Sequence, residues 1–328
     1  MSWQSEYEEI CQVIDNAPES RLKRERLKKA IKKDLQKIGT VDYNLFPIPF
    51  RWNLCAARLR MGKFNNYDGW EYRSDWSMTF QGYNGYQNPL PKWDGRPVKK
   101  LLILGEQGIG DEILFSSVIP ELIVRLGHDA LTFYTYPRLQ TVMERSFKIK
   151  CELRKTLSEY TDGDAVVALG DLMMFYRRDK SHFPGKPFLK PDPEKVKRWK
   201  DFLGPGYHVG YAWKARHGCL DKEEIALPGY WNLQYDDEGP DSPPFDVKND
   251  FENLFAFVAA LDRVVTVTQT LVHVAGSVGT PCDAIRPPKG TGEVRNQLWY
   301  YGMGGPMTTY GSVHVHNSIQ EFRSRRRS

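Results

Sequence analysis

Eleven residues constrain this chain more than any others: Leu101-Leu102-Ile103-Leu104 runs straight into Gly105-Glu106-Gln107-Gly108-Ile109-Gly110-Asp111. An apolar run of strand length breaks at a glycine loop, and beyond it apolar residues recur at helical spacing through Ile113, Leu114, Val118 and Leu122. The segment predicts strand, tight loop, helix, the opening unit of a nucleotide-binding α/β domain. Gly105, Gly108 and Gly110 allow a sharp turn and a close approach, and the N–H groups at the helix start face an anion.

Three ligands compete for such a loop. A dinucleotide fold wants G-x-G-x-x-G, whereas the glycines here run G-x-x-G-x-G. A methyl-donor fold needs an acid ending its second strand, but Ala130 to Thr135 leads into Tyr136-Pro137-Arg138. In a sugar-nucleotide enzyme the loop meets a diphosphate and Asp111 faces a cleft. A plainer account makes Asp111 a helix-terminal acid favoured by the dipole, and the loop alone does not choose.

The chain has 328 residues, 41% hydrophobic and 27% charged, enough for two domains of a soluble globular protein. Its N-terminus lacks an apolar signal core and no run reaches membrane-spanning length, so a cytoplasmic protein is expected. Five scattered cysteines without a C-x-x-C pair argue against a disulfide framework and a zinc site. The net charge of +5 is concentrated in Arg21 to Lys33 and Arg325-Arg326-Arg327. Such blocks suit phosphates, although Leu27, Ile31 and Leu35 at four-residue spacing also fit a solvated helix face.

Residues 5 to 17, 20 to 38 and 53 to 63 predict helices, with Ser20 as an N-cap. An aromatic and charged segment at Tyr67 to Trp76 and a loop follow, making residues 1–95 a helical lead-in. Candidate strands Lys100–Gly105, Ala130–Thr135, Ile149–Leu153 and Ala165–Leu169 then alternate with helices, which argues a parallel sheet. A proline-rich linker at His182 to Pro193 precedes a helix to Leu203. The second block offers strands His208–Trp213, Leu233–Tyr235, Arg263–Thr268, Cys282–Arg286 and Val313–His316. In it, a strand enters Thr268-Gln269-Thr270 and a helix in which Gly276 and Gly279 permit close packing before Pro281 stops it. That helix start can receive a diphosphate, and His273 either reaches the ligand or is satisfied by a neighbour. Asp236-Asp237 reads as an acidic loop. Trp299-Tyr300-Tyr301 fits core or ligand packing equally.

Trp93-Asp94-Gly95 leading into Gly105 to Asp111, with Val209-Gly210-Tyr211-Ala212-Trp213 and His273 to Pro281, resembles the glycosyltransferase domain found behind tetratricopeptide repeats in bacterial proteins. That domain is similar to lipopolysaccharide heptosyltransferases and, more distantly, to protein O-GlcNAc transferases. The resemblance spans roughly residues 50 to 300, with Asn53 to Trp76 resembling a last repeat helix pair. It implies an α/β GT-B fold of two Rossmann-like domains facing across a cleft: residues 96–190 hold the acceptor and 191–328 the nucleotide-sugar donor.

The same resemblance implies an inverting glycosyltransferase, with a nucleotide-diphosphate sugar as donor substrate and neither cofactor nor metal required. Asp111 matches the general base and His273 the histidine at the donor diphosphate. Lys214, with Arg216 and His217 nearby, matches a cation neutralising the leaving group. Gly108, Gly110, Thr268, Gln269 and Thr270 join the donor site, and Glu106 and Gln107 the acceptor side. The family reads Asp-Thr-Ser where this chain has Thr268-Gln269-Thr270, which expects a different donor sugar or lost activity. Basic blocks at both ends leave room for a DNA acceptor with a hydroxymethylated base, flipped out to react. A glycan acceptor and a non-catalytic sugar-nucleotide-binding module are the alternatives.

Overall fold

A computed structural model describes residues 7, 8, 11, 25, 28, 29, 32, 89–106, 108–215, 218–287, 305, 306 and 309–326. The seven isolated residues before residue 89 are helical and fall in the first two expected helices. The third expected helix, the Tyr67 to Trp76 segment, Gln107, Arg216, His217 and Trp299 to Tyr301 lie outside the described residues.

The first sheet is built from β1 (Leu101–Leu104), β2 (Leu131–Thr135), β3 (Lys150–Leu153) and β4 (Ala165–Ala168), in the order β3-β2-β1-β4 and parallel throughout. Every residue of β1, β2 and β4 is buried, as expected of parallel strands covered on both faces. Parallel pairing requires crossovers; α1 (Ile109–Phe115) and α2 (Ile119–Leu126) follow β1, and α3 (Gln140–Phe147) follows β2.

Past α4 (Pro193–Leu203), capped by the Asp192 carboxylate, the second sheet begins. It comprises β5 (Val209–Ala212), β6 (Trp231–Asn232), β7 (Arg263–Val267), β8 (Cys282–Ile285), β9 (Gly305–Pro306) and β10 (Val313–His316). The order is β9-β10-β8-β7-β5-β6, parallel except for β9. Its helices include α5 (Phe251–Ala260), α6 (Thr270–Val278) and α7 (Ile319–Arg326). The strand expected at Leu233–Tyr235 instead pairs two residues earlier. There the Asn232 side chain accepts the Gln234 N–H at 2.9 Å and turns the chain away.

Three contacts hold the sheets around one crevice. Helices α1 and α6 pack closely enough that a Cβ on Gly110 would lie 2.7 Å from His273 Cδ2. Arg145 of α3 forms a bidentate pair with Glu252 of α5 at 2.7 and 2.8 Å, a geometry that fixes orientation as well as adding energy. Arg138 donates to the Lys248 carbonyl at 2.6 Å. One apolar cluster contains β1, α1, α5 and α6 residues alike, among them Ile103, Leu114, Phe255 and Val272. No helix among the described residues is long and apolar enough to cross a membrane.

Candidate functional site

The crevice is a cavity of about 550 Å³ at the carboxyl ends of both sets of strands, where open α/β sheets receive ligands. Gly108, Ile109, Gly110 and Asp111 line it from the first crossing, and Thr268, Gln269, Thr270, Leu271 and His273 from the second. Tyr136, Arg138, Lys248 and Phe251 close it from two loops and the start of α5.

On the first side the loop satisfies itself. The Gly108 N–H donates to Asp111 Oδ2 at 3.2 Å, which fixes that carboxylate at the start of α1. Its neighbour Glu112 is fully buried, taking hydrogen bonds from the Thr135 hydroxyl, the Tyr136 N–H and Arg154. Burial pushes the Glu112 carboxyl above its ordinary range, opposed by the charge of Arg154 and these donors. Arg154 lies 3.7 Å from the centre of the Tyr136 ring, so Glu112 supports the cavity wall from behind. Gly105 has no positive φ; a side chain there would overlap the Glu112 carboxylate. Gly108 has a φ of −82° and Gly110 is a helix contact, so neither supplies the sharp turn that glycine spacing suggested.

The second side is less closed. Gln269 occupies the N-cap of α6 but makes no capping bond, its amide donating instead to Thr266 Oγ1 at 3.0 Å. Thr268 is 4% exposed, and its hydroxyl lacks a hydrogen-bond partner. An unsatisfied buried hydroxyl costs free energy unless a ligand completes it. At the far end of α6, Gly279 adopts φ +87° and ends the helix before Pro281.

His273 is buried, and burial alone lowers its pKa to about 3. The ring is therefore neutral: it is a hydrogen-bonding group and not a cation. Its Nδ1 sits 3.2 Å from the Tyr310 hydroxyl. With that hydroxyl as donor, Nε2 carries the proton on the edge facing Gly110.

Two expected residues stand elsewhere. Lys214 is outside the cavity lining, with its Nζ 2.5 Å from Asp236 and its pKa raised by that hydrogen bond. Asp237 likewise holds Lys222 at 2.7 Å, so the acidic loop is accounted for by lysines. Glu106 accepts the Gly170 N–H at 2.7 Å, away from the lining. The cations that do line the cavity, Arg138 and Lys248, were not singled out from sequence; Arg138 ends the same Tyr136-Pro137-Arg138 turn whose lack of an acid disfavoured a methyl donor. The described cysteines, Cys11, Cys151, Cys219 and Cys282, form no disulfide with one another, and burial raises the Cys151 thiol to about 12.

No family model matches the chain. Protein FlbA of Caulobacter vibrioides (strain ATCC 19089 / CIP 103742 / CB 15) is 30% identical over 263 residues, covering 65% of this chain and 44% of the relative. The chain thus spans less than half the length of that protein. Among solved structures, a glycosyl transferase family 9 protein from Veillonella parvula DSM 2008 is 12% identical with a TM-score of 0.46, over 70% of this chain and 92% of that one. The ADP-heptose lps heptosyltransferase II of E. coli is 12% identical with a TM-score of 0.42, over 70% and 97%.

Proposed function

We propose that the chain is a glycosyltransferase that moves a sugar from a nucleotide diphosphate to an acceptor hydroxyl. One observation carries the reading: a carboxylate, Asp111, and a helix N-terminus with a buried unsatisfied hydroxyl, Thr268, meet across one cavity. The start of α6 receives the diphosphate through its backbone N–H groups, and His273 Nε2 adds a neutral donor. Arg138 and Lys248 supply positive charge as the leaving group gains negative charge.

Asp111 takes the acceptor proton as the acceptor oxygen bonds to the anomeric carbon. The bond from that carbon to the diphosphate oxygen breaks, and the nucleoside diphosphate departs. Attack opposite the leaving group inverts the anomeric centre, and no step requires a metal. Residues 96–190 are proposed as the acceptor side and 191–328 as the donor side, in the GT-B manner, with the N-terminal helices as a remnant of repeats.

The acceptor is proposed to be a glycan hydroxyl. A DNA acceptor rested on the two basic blocks. In the first, only Glu25, Lys28, Lys29 and Lys32 are described, with Lys28 against Glu25; in the second, Arg325 is engaged by Glu321 and His314. A panel of nucleotide sugars, incubated with simple glycans, plain DNA and hydroxymethylated DNA, tests the reading through released nucleotide and product mass. Transfer to glycans is the expected result. Transfer to modified DNA alone would replace the acceptor, and donor binding without turnover on any acceptor would leave a binding module.

A further inference from the structure

We propose a second, separate site: a divalent transition-metal site formed by His314, His316 and Glu321 on the face of the second sheet that α7 covers. One ligand atom from each residue lies within 4.8 Å of the others. The group shares no residue with the main cavity lining.

His316 makes the case. Its side chain is 3% exposed, and its Nε2 lies 2.8 Å from Asp283 Oδ1. Asp283 also accepts from Arg263 at 2.5 Å, so it is an ionised acceptor and the proton must sit on His316 Nε2. In the neutral ring that tautomer leaves the lone pair on Nδ1, which is buried and without a hydrogen-bond partner. A histidine that donates its other ring N–H to a carboxylate is the arrangement that orients imidazole ligands on zinc and raises their basicity.

The cation position is already marked. Arg325 reaches into the group, its Nη1 2.5 Å from His314 Nε2 and its Nη2 3.3 Å from Glu321 Oε1. A positive group thus stands against lone pairs of two candidate ligands. Arg325 extends from α7 with its side chain half exposed, so it can move aside. Two imidazoles and a carboxylate are a donor set suited to zinc and its neighbours rather than to magnesium or calcium. Tetrahedral ligands about 2.1 Å from zinc lie roughly 3.4 Å apart; the partly exposed His314 and Glu321 must close by on the order of 1 Å. An anion is the competing ligand, since Arg263 and Arg325 border the adjoining cavity of about 470 Å³. It leaves the His316 lone pair unanswered, because acceptor would face acceptor.

Calorimetric titration of the full, tag-free chain with zinc chloride, and separately with inorganic phosphate, tests this. One zinc equivalent is expected. Outer-shell losses cost about 10–100-fold in metal affinity, so loss of the ligand in His314→Ala should cost more, and Glu321→Gln should also weaken binding. Arg325→Gln should tighten zinc binding by about tenfold, because it removes a competing positive charge. Absence of zinc binding, or zinc binding indifferent to His314→Ala, would overturn the proposal. So would phosphate binding that Arg325→Gln weakens, which would make the site anionic in its preference.

Discussion

The crossings β1 to α1 and β7 to α6 share one plan, strand into short loop into helix, yet they end differently. In the first, Asp111 accepts the Gly108 N–H, so a carboxylate stands at the helix start, and Glu112 beside it gathers Thr135, Tyr136 and Arg154 from neighbouring elements. In the second, the N-cap side chain turns away to Thr266 and the Thr268 hydroxyl is unanswered. A helix start without a side-chain acceptor suits an incoming anion, whereas one bearing a carboxylate repels it. This difference supports the proposed division of roles, with the base on the first crossing and the diphosphate on the second.

The largest effect that would break this assignment comes from Asp111→Asn. Transfer should fall by about 10²–10⁴-fold, the range for a general base, while donor affinity measured by calorimetry stays within a few fold. A parallel loss of affinity would move the donor to the first crossing. Gly110→Ala forces a methyl group against His273 at 2.7 Å, so thermal unfolding should show a loss of about 1–3 kcal/mol. The same change at Gly108, whose nearest contact would be Asp111 Oδ2 at 3.2 Å, should cost less.

Protonation sharpens the second crossing. His273 has a folded pKa of about 3 against about 6.5 unfolded, so its neutral form is favoured by folding and the contribution is lost as pH falls. Between pH 7 and pH 5 the loss should be roughly 2 kcal/mol, and urea unfolding of His273→Gln should show a correspondingly flatter pH profile. Thr268→Val should leave stability unchanged or slightly higher, since it removes an unsatisfied group, yet weaken donor binding by about fivefold. The smallest effect belongs to Lys214→Ala: a surface ion pair contributes about 0–1 kcal/mol, and donor affinity should hardly move.

Much of this was legible in the chain. The run Leu101-Leu102-Ile103-Leu104 and the two strand-to-helix crossings have local signals, and Pro281 predicted that α6 stops before it, although the left-handed cap at Gly279 was read only as a packing glycine. Arg138 and Lys248 were not legible, because they meet across 110 residues of sequence and no spacing announces the contact. Glu112 carried a usable signal, an acid inside an otherwise apolar helix, but adjacent Asp111 drew the functional reading. Lys214 had a local signal, a cation just past a strand end, whereas its partner Asp236 lies 22 residues on and no spacing announces that pair.

Amide hydrogen exchange with and without a nucleoside diphosphate tests the central claim most directly. Protection is expected across Thr268 to His273, with Gly108 to Asp111 little changed. Protection confined to Gly108 to Asp111 would contradict it.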